Sequence, residues 1–204
     1  MTAADVVQPC LEEQQSVALR EGSVARFFAG LARLATGTEL PVQVAAVCYR
    51  LSGSSVEFLL VNTSSGKWTF PKGRLCPALS PSESAAREAW EEAGVHGRIE
   101  ETHFAHYLDT KRALGHDSLT REVRIAAFLM EVHRTEDPQE SGRNPSWFSP
   151  QQARKRLAEG RLSPYSRQIA KMIDAAVDQL AVKSRRQAEI LMRMQGRRRL
   201  ASVR

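Results

Sequence analysis

The sequence contains little cysteine and no long apolar run. Its three cysteines, Cys10, Cys48 and Cys76, are odd in number and widely spaced, so they form neither a metal-ligand pattern nor an obvious disulfide framework. No stretch approaches the length of apolar sequence that spans a bilayer, and the first residues lack the basic and then apolar pattern of a secretory signal. These absences argue against a membrane-spanning or disulfide-rich secreted protein, and they predict a cytoplasmic location.

The basic excess is confined to one end of the chain. The formal net charge is +6, but residues 183–204 contain eight basic residues and one acidic residue, so this segment carries +7 and the remainder −1. A globally basic surface would indicate nucleic-acid binding, whereas a basic end indicates a tether or a solvated terminus. Ile190, Leu191 and Met194 continue a helical apolar stripe, so an extended last helix, docked on a second copy in a homodimer, is favoured over nucleic-acid binding.

What remains is a globular composition with an alternating order of predicted elements. With 42% apolar residues the chain can bury a core, and the spacing of residues 22–35 predicts an amphipathic helix near the start. The predicted strands cover 42–49, 56–62, 67–70, 98–109, 122–133 and 147–148, and the predicted helices cover 81–93, 150–159 and 163 onward. We therefore expect an α/β domain at 41–160, between an N-terminal helical extension at 1–40 and a C-terminal helix with a basic tail at 161–204.

Three glutamates stand close together inside the helix predicted at 81–93. Glu88, Glu91 and Glu92 occupy positions i, i+3 and i+4, which share one helix face. Like charges at that spacing repel, whereas a divalent cation bound between them reverses the penalty. Magnesium prefers carboxylate oxygens and, with few protein carboxylates, is typical of phosphate chemistry. The cluster therefore predicts a magnesium site, against the alternative of a solvated acidic face.

Local signals define both ends of this helix. Ser80 is the predicted N-cap, with Pro81 at the first helical position and Glu83 completing a capping box. Gly94 is the predicted C-terminal stop. Glu83 also lies one helical turn before Arg87, so these two side chains are expected to pair.

The segment from Gly73 to Val95 resembles the signature of the Nudix hydrolases. That signature is Gly, five residues, Glu, seven residues, Arg-Glu, an apolar residue, any residue, Glu-Glu, any residue, Gly and an apolar residue. Leu79 stands where the signature has its first Glu, and the flanks Trp68–Gly73 and Trp147–Phe148 are similar to the branch that cleaves dinucleoside polyphosphates and diphosphoinositol polyphosphates. The positions in register are Gly73, Arg87, Glu88, Ala89, Glu91, Glu92, Gly94 and Val95.

This resemblance implies a fold and a reaction. The fold is the Nudix-type α/β/α sandwich with a mixed sheet, to which this chain adds N-terminal and C-terminal helical extensions. The reaction is metal-dependent hydrolysis of a phosphoanhydride bond in a nucleoside-diphosphate-linked or polyphosphate substrate, with a dinucleoside polyphosphate favoured. Metal ions supply most of such chemistry by polarising phosphoryl oxygens and activating water. Mg²⁺ is the expected ion, with Mn²⁺ as an alternative.

The resemblance also implies roles for individual residues. Glu88 and Glu92 are the expected principal metal ligands, and Glu91 is expected to bind a second ion or orient water. The carbonyl of Gly73 is an additional expected ligand. The expected catalytic residues are Arg87, Glu91, Glu92 and Glu136, the last of these as a general base or extra ligand from a late loop.

Cations around the signature are the expected substrate contacts. Lys72 and Arg74 flank Gly73 and suit a polyphosphate lying beside the glutamates. Arg143 is expected to contact a distal phosphate. Glu140, in the same late loop as Glu136, is the alternative acidic residue. The competing interpretation of all these groups is a set of solvated loop charges.

Leu79 keeps a second functional hypothesis open. The missing glutamate leaves Arg87 without its usual support, which Glu83 is expected to replace. If it does not, the chain is a catalytically weak Nudix-fold module that binds a nucleotide, or RNA through the basic tail, without hydrolysis. The favoured partner is a small-molecule polyphosphate, and no membrane partner is expected.

Overall fold

A central pair of parallel strands organises the fold in the computed structural model, which describes residues 42–53, 55–112 and 120–201. Strand β1 (Val42–Ser52) runs parallel to the long strand β7 (Thr120–Thr135). Every residue of β1 from Gln43 to Tyr49 is buried, as expected for a strand covered on both faces. The helix predicted at 22–35 lies outside the described residues.

Antiparallel strands extend this pair on both sides into one mixed sheet. Within the described residues the sheet has eight strands, in the order β3–β2–β1–β7–β5, with β4 also on β1, β6 also on β7 and β8 also on β2. The remaining strands are β2 (Ser55–Asn62), β3 (Trp68–Thr69), β4 (Lys72–Arg74), β5 (Val95–Ile99), β6 (Ala105–Arg112) and β8 (Ser146–Phe148).

Helices cover both faces of the sheet. Because side chains alternate along a strand, Val44, Ala46 and Cys48 of β1 face α1 (Pro81–Ala93). Ala45 and Val47 face the opposite layer, which is built by α2 (Pro150–Ala158) and α3 (Ser163–Ala201). The predicted α/β/α sandwich with a mixed sheet is therefore confirmed. No helix among the described residues combines the length and apolarity needed to cross a bilayer.

The helix ends follow the local signals in the sequence. Ser80 caps α1, its hydroxyl accepting from the backbone N–H of Glu83, and the Glu83 carboxylate accepts from the Ser80 N–H, so the predicted capping box is confirmed. Gly94 ends α1 in the left-handed region, with φ of 61°. An apolar stripe of α3 buries Ile169, Met172, Ile173 and Ala176 against the sheet.

The strand predicted at 98–109 is wrong, because the chain forms two strands there. Both β5 and β6 pair antiparallel with β7. Five residues separate Ile99 from Ala105, whereas two separate their partners Met130 and Ala127, so residues 100–104 loop out of the ladder. The backbone N–H groups of Glu100 and Phe104 still donate to β7 carbonyls.

The looped segment also corrects the expectation for two histidines. On one continuous strand His103 and His106 would face opposite sides. Because His103 lies in the loop instead, its ring centroid is 4.3 Å from that of His106. The same loop contacts α3, since Glu100 accepts from the side-chain amide of Gln179 at 2.9 Å and pairs with Lys183.

Candidate active site

Strand β4 brings Gly73 directly beneath Glu88 of α1. Pairing of Val44 with Gly73 fixes β4 against β1 at the edge of the α1 layer. A Cβ atom placed on Gly73 would lie 2.1 Å from the Glu88 carboxylate. Only glycine permits this approach of backbone to carboxylate, so the predicted neighbours Gly73 and Glu88 are brought together.

Arg87 lies between two of the three glutamates. Its Nη2 is 3.4 Å from Glu88 Oε1, and its Nε is 3.6 Å from Glu91 Oε1. The expectation that Arg87 orients Glu91 agrees with this geometry. The expected pair with Glu83 is wrong: among the described contacts Glu83 bonds Ser80, and Arg87 is held by Glu88 and Glu91.

Glu92 turns the other way, toward cations. Its Oε2 accepts from the backbone N–H of Lys72 at 3.1 Å, and its Oε1 is 2.7 Å from Nη2 of Arg143. Arg143 also pairs with Glu140 at 2.6 Å. Glu92 is 3% exposed, so Arg143 and Lys72 compensate a buried negative charge.

Burial makes the ionised carboxylates unfavourable. Burial first, and then the charges of Glu92 and Glu91, raise the pKa of Glu88 to about 7, although Arg87 opposes the rise. Burial also raises the pKa of Glu91 and of Glu92, with Arg87 and Arg143 as the main opposing groups. The cluster holds more negative charge than its arginines neutralise, which is the condition under which an added cation binds.

The residues fit a hard divalent ion, although the carboxylates do not meet at one point. No three His, Cys, Asp or Glu side chains in the described part of the chain are gathered closely enough to hold an ion. The expected convergence of Glu88, Glu91 and Glu92 on one ion stays a prediction, since Arg87 contacts Glu88 and Glu91 here whereas Arg143 contacts Glu92. The oxygen donors, their burial and the close approach of Gly73 to the Glu88 carboxylate nevertheless suit Mg²⁺.

A cleft of about 1100 Å³ opens beside Glu92. One wall comes from the sheet and α1, and the other comes from the β2–β3 turn and the α2–α3 connection. Four cations and two acids line it, a balance that favours an anionic ligand. The lining residues are Thr63, Ser64, Ser65, Lys67, Lys72, Glu92, Asp109, Thr110, Arg143, Gly160, Arg161, Leu162 and Tyr165.

Two predicted site residues are not part of this cluster. Arg74 is exposed on β4, and its side chain makes no hydrogen bond or ion pair with a described residue. Glu136 accepts from Trp90, lies 2.9 Å from Nε2 of His96 and pairs with Arg134, and none of its described contacts is with the signature glutamates. The structure brings Glu140 to Arg143 instead.

Four of the cleft residues that the sequence did not predict are charged or aromatic. Asp109 lies 3.9 Å from Nζ of Lys72, and Lys67, Arg161 and Tyr165 line the outer walls. Asp109 sat in a predicted strand, where an acid at the strand end carries little signal. Arg161 follows Gly160 between two predicted helices, and a basic residue in that connection is the one signal that could have indicated it.

Comparison with known proteins decides the family. The model of the NUDIX domain matches residues 41–168, which is more than half of the chain. This chain belongs to the Nudix family. The predicted Nudix membership is thereby confirmed, and its signature is the glutamate cluster of α1.

Two curated relatives of this Nudix chain are phosphohydrolases. It is 32% identical over 122 residues to diphosphoinositol polyphosphate phosphohydrolase 2 of Rattus norvegicus, covering 56% of this chain and 62% of that protein. It is 32% identical over 123 residues to diphosphoinositol polyphosphate phosphohydrolase 3-alpha of Mus musculus, covering 56% and 68%. The chain thus spans less than two thirds of the length of the first relative.

A solved structure shares the fold. The Ap4A hydrolase of C. elegans, in a binary complex, superposes with a TM-score of 0.52 at 22% identity, covering 70% of this chain and 98% of that one. At this identity the likeness shows the Nudix fold alone.

Proposed function

We propose that this protein is a metal-dependent Nudix hydrolase that cleaves a phosphoanhydride bond in a small molecule carrying several phosphates. The observation that carries the proposal is the cationic cleft that ends at buried Glu92. The names of the curated relatives support the same reaction class.

The cleft favours recognition of phosphates over stacking of a nucleobase. Tyr165 is the one aromatic residue among the described lining residues, and its hydroxyl donates to Glu122 at 2.6 Å. Trp68 and Phe148, which could have stacked on a base, instead pack edge to face with ring centroids 5.0 Å apart. A diphosphoinositol polyphosphate therefore suits this cleft better than the dinucleoside polyphosphate expected from the sequence, since it presents phosphates without bases.

Two cations of the outer cleft are available for distal phosphates. Lys67 and Arg161 have no carboxylate partner among the described residues. A Cβ on Gly160 would lie 3.5 Å from Cε of Lys67, so Lys67 lies against the backbone next to Arg161. The guanidinium of Arg161 is held by the carbonyl of Leu157 at 2.7 Å. We assign this pair to phosphates remote from the bond that is cleaved.

The inner cleft would hold the reacting diphosphate. Lys72 and Arg143 bind its oxygens and neutralise their charge. Glu88, Glu91, Glu92 and the carbonyl of Gly73 would hold Mg²⁺ or Mn²⁺, which supplies polarisation of a phosphoryl oxygen and acidification of bound water. Glu91, whose pKa is raised by burial and which contacts Arg87 through Oε1, is suited to accept a proton from the attacking water, whereas both oxygens of Glu92 are occupied by Lys72 and Arg143. Arg87 keeps Glu88 and Glu91 in place.

A substrate panel tests this proposal. The full chain is incubated with Mg²⁺ or Mn²⁺ and with diphosphoinositol polyphosphates, diadenosine polyphosphates and nucleoside triphosphates, and the products are identified by mass. We expect turnover that Glu92→Gln reduces by at least about 100-fold, whereas Glu101→Gln, which changes an exposed loop acid, has no effect. Equal turnover by wild type and Glu92→Gln would refute the assignment.

One observation favours a second candidate function, binding of RNA without hydrolysis. Every residue of α3 from Ala181 to Ile190 is exposed, including Arg185 and Arg186. Leu79 replaces the signature glutamate and lies in a turn closed by its N–H and the carbonyl of Cys76. Three results together would establish this alternative. The chain would bind RNA with steep salt dependence, it would lose that binding when residues 183–204 are deleted, and it would hydrolyse nothing in the panel.

A further inference from the structure

The loop that joins β7 to β8 carries charged groups into the candidate site. We define it as residues 136–145. Arg143 within it reaches Glu92 at 2.7 Å and Glu140 at 2.6 Å. Its backbone is tied to β2, since the N–H of Asn62 donates to the carbonyl of Arg143 at 2.6 Å. The position of this loop therefore sets where the Arg143 guanidinium lies in the cleft.

Glu136, the first residue of the loop, is held by three donors outside it. Its Oε1 accepts from Nε1 of Trp90 on α1 at 2.7 Å and lies 2.9 Å from Nε2 of His96 on β5. Its Oε2 lies 3.3 Å from Arg134 on β7. The carboxylate thus joins three secondary-structure elements at the end of α1.

The backbone of the loop docks on the same end of α1. The N–H of Glu136 donates to the carbonyl of Gly94 at 2.7 Å, and the N–H of Glu140 donates to the carbonyl of Glu91 at 2.9 Å. A Cβ on Gly94 would fall 2.1 Å from the carbonyl oxygen of Glu136. The glycine that ends the helix therefore also admits the loop.

We propose that Glu136 is a positioning residue, whose carboxylate clamps the 136–145 loop on the C-terminal end of α1 and thereby places Arg143 against Glu92. The role in phosphate binding rests on the function proposed above. Glu136 acts through Arg143 and touches no reacting atom. Its two oxygens are occupied by Trp90, His96 and Arg134, and it is not among the residues that line the cleft. A general base would need a free oxygen facing the attacking water.

A double-mutant cycle separates this role from a catalytic or merely structural one. The variants are Glu136→Ala, Arg143→Ala and the double variant, and the probe is inorganic tripolyphosphate in calorimetric titration. We expect Glu136→Ala to weaken binding about tenfold and to have no further effect once Arg143 is absent, since coupled residues are not additive. In turnover assays KM should rise while kcat stays within about twofold, because the ground-state contact is the one lost.

Two further variants calibrate the result. Glu136→Gln keeps an oxygen that accepts from Trp90, so it should recover most of the binding. Asp137→Ala removes the adjacent carboxylate, which has no side-chain partner among the described residues, and should bind like wild type. The proposal would be overturned if the losses of affinity in the two single variants multiplied in the double variant. It would also be overturned by a fall in kcat at unchanged KM, or by identical behaviour of Glu136→Ala and Asp137→Ala.

Hydrogen exchange of the ligand-free chain tests the clamp independently of substrate. Glu136→Ala should speed amide exchange in peptides covering 138–145 and leave β1 unchanged. If Glu136→Ala does not fold, Trp90→Phe removes one donor while keeping an aromatic ring, and the same local acceleration is expected. Unchanged exchange in the loop would refute the clamp. Absence of turnover by wild type would refute the hydrolase assignment, while loop exchange would still decide the clamp.

Discussion

Replacing Glu88 by Gln should stabilise the metal-free protein at high pH and remove its response to metal. Glu88 is 7% exposed, and its pKa is raised from 4.5 to about 7, chiefly by burial. The proton is therefore bound more tightly in the folded chain. The stability that the protonated carboxyl contributes is fully present below pH about 4.5 and is lost as the pH rises through about 7.

The size of the effect follows from the same shift. Moving a pKa from 4.5 to about 7 corresponds to about 3 kcal/mol against the ionised carboxylate above both values. The opposing effect of Arg87 is already contained in this shift, so about 3 kcal/mol is the largest gain expected. At pH 8 in EDTA we expect Glu88→Gln to melt above wild type by at most about 6 to 12 °C, and at pH 4.5 we expect no such advantage.

Metal should offset the difference in stability between wild type and Glu88→Gln. A ligand at 100 times its Kd stabilises the folded state by about 2.7 kcal/mol, so saturating Mg²⁺ should raise the melting temperature of wild type but not that of Glu88→Gln. The measurement is differential scanning calorimetry at pH 4.5 and pH 8, with and without Mg²⁺, and Glu101→Gln is the exposed control. The reasoning would be refuted if Glu88→Gln melted below wild type at pH 8 in EDTA. It would also be refuted if the melting temperatures of the two proteins differed by the same amount at both pH values.

Three other perturbations have defined outcomes. Arg143→Ala should raise KM about tenfold in steady-state assays, because a charge-assisted phosphate contact is lost; an unchanged KM would contradict its place in the cleft. Gly94→Ala should cost more stability in urea denaturation than Gly53→Ala, because both glycines have φ of 61° but only the former meets a backbone oxygen; we expect a difference of about 1 to 3 kcal/mol, and equal losses would contradict the close approach. Deleting residues 183–204 should leave hydrolysis unchanged in the substrate panel, since none of the described lining residues of the cleft belongs to this segment; a loss of turnover would show that the basic segment serves the site.

Local chemistry explains which parts of α1 and its site could be read from the sequence. The ends of α1 were predictable because Ser80, Glu83 and Gly94 act on their own backbone neighbours. The glutamate spacing likewise fixes which residues share the helix. The direction in which each carboxylate turns depends on Arg143, which lies far along the chain, and sequence spacing carries no such information.

Long-range pairing explains the misses. The alternation of residues 98–109 suits one strand, and only the register against β7 shows that residues 100–104 loop out. Glu136 and Glu140 looked equivalent because both are acids of one loop. The two glutamates contact different parts of the structure, because Trp90 and His96 hold Glu136 at the end of α1.

Chemical labelling of Cys48 can report when α1 separates from the sheet. Its thiol is 0% exposed between β1 and α1, and burial raises its pKa far above the ordinary range. An alkylating reagent needs the thiolate and a path to it, so modification waits until α1 lifts from the sheet. The rate at which the peptide containing Cys48 is labelled, followed by mass spectrometry, therefore reports how often α1, which carries Glu88, separates from the sheet. A bound ion should lower this rate.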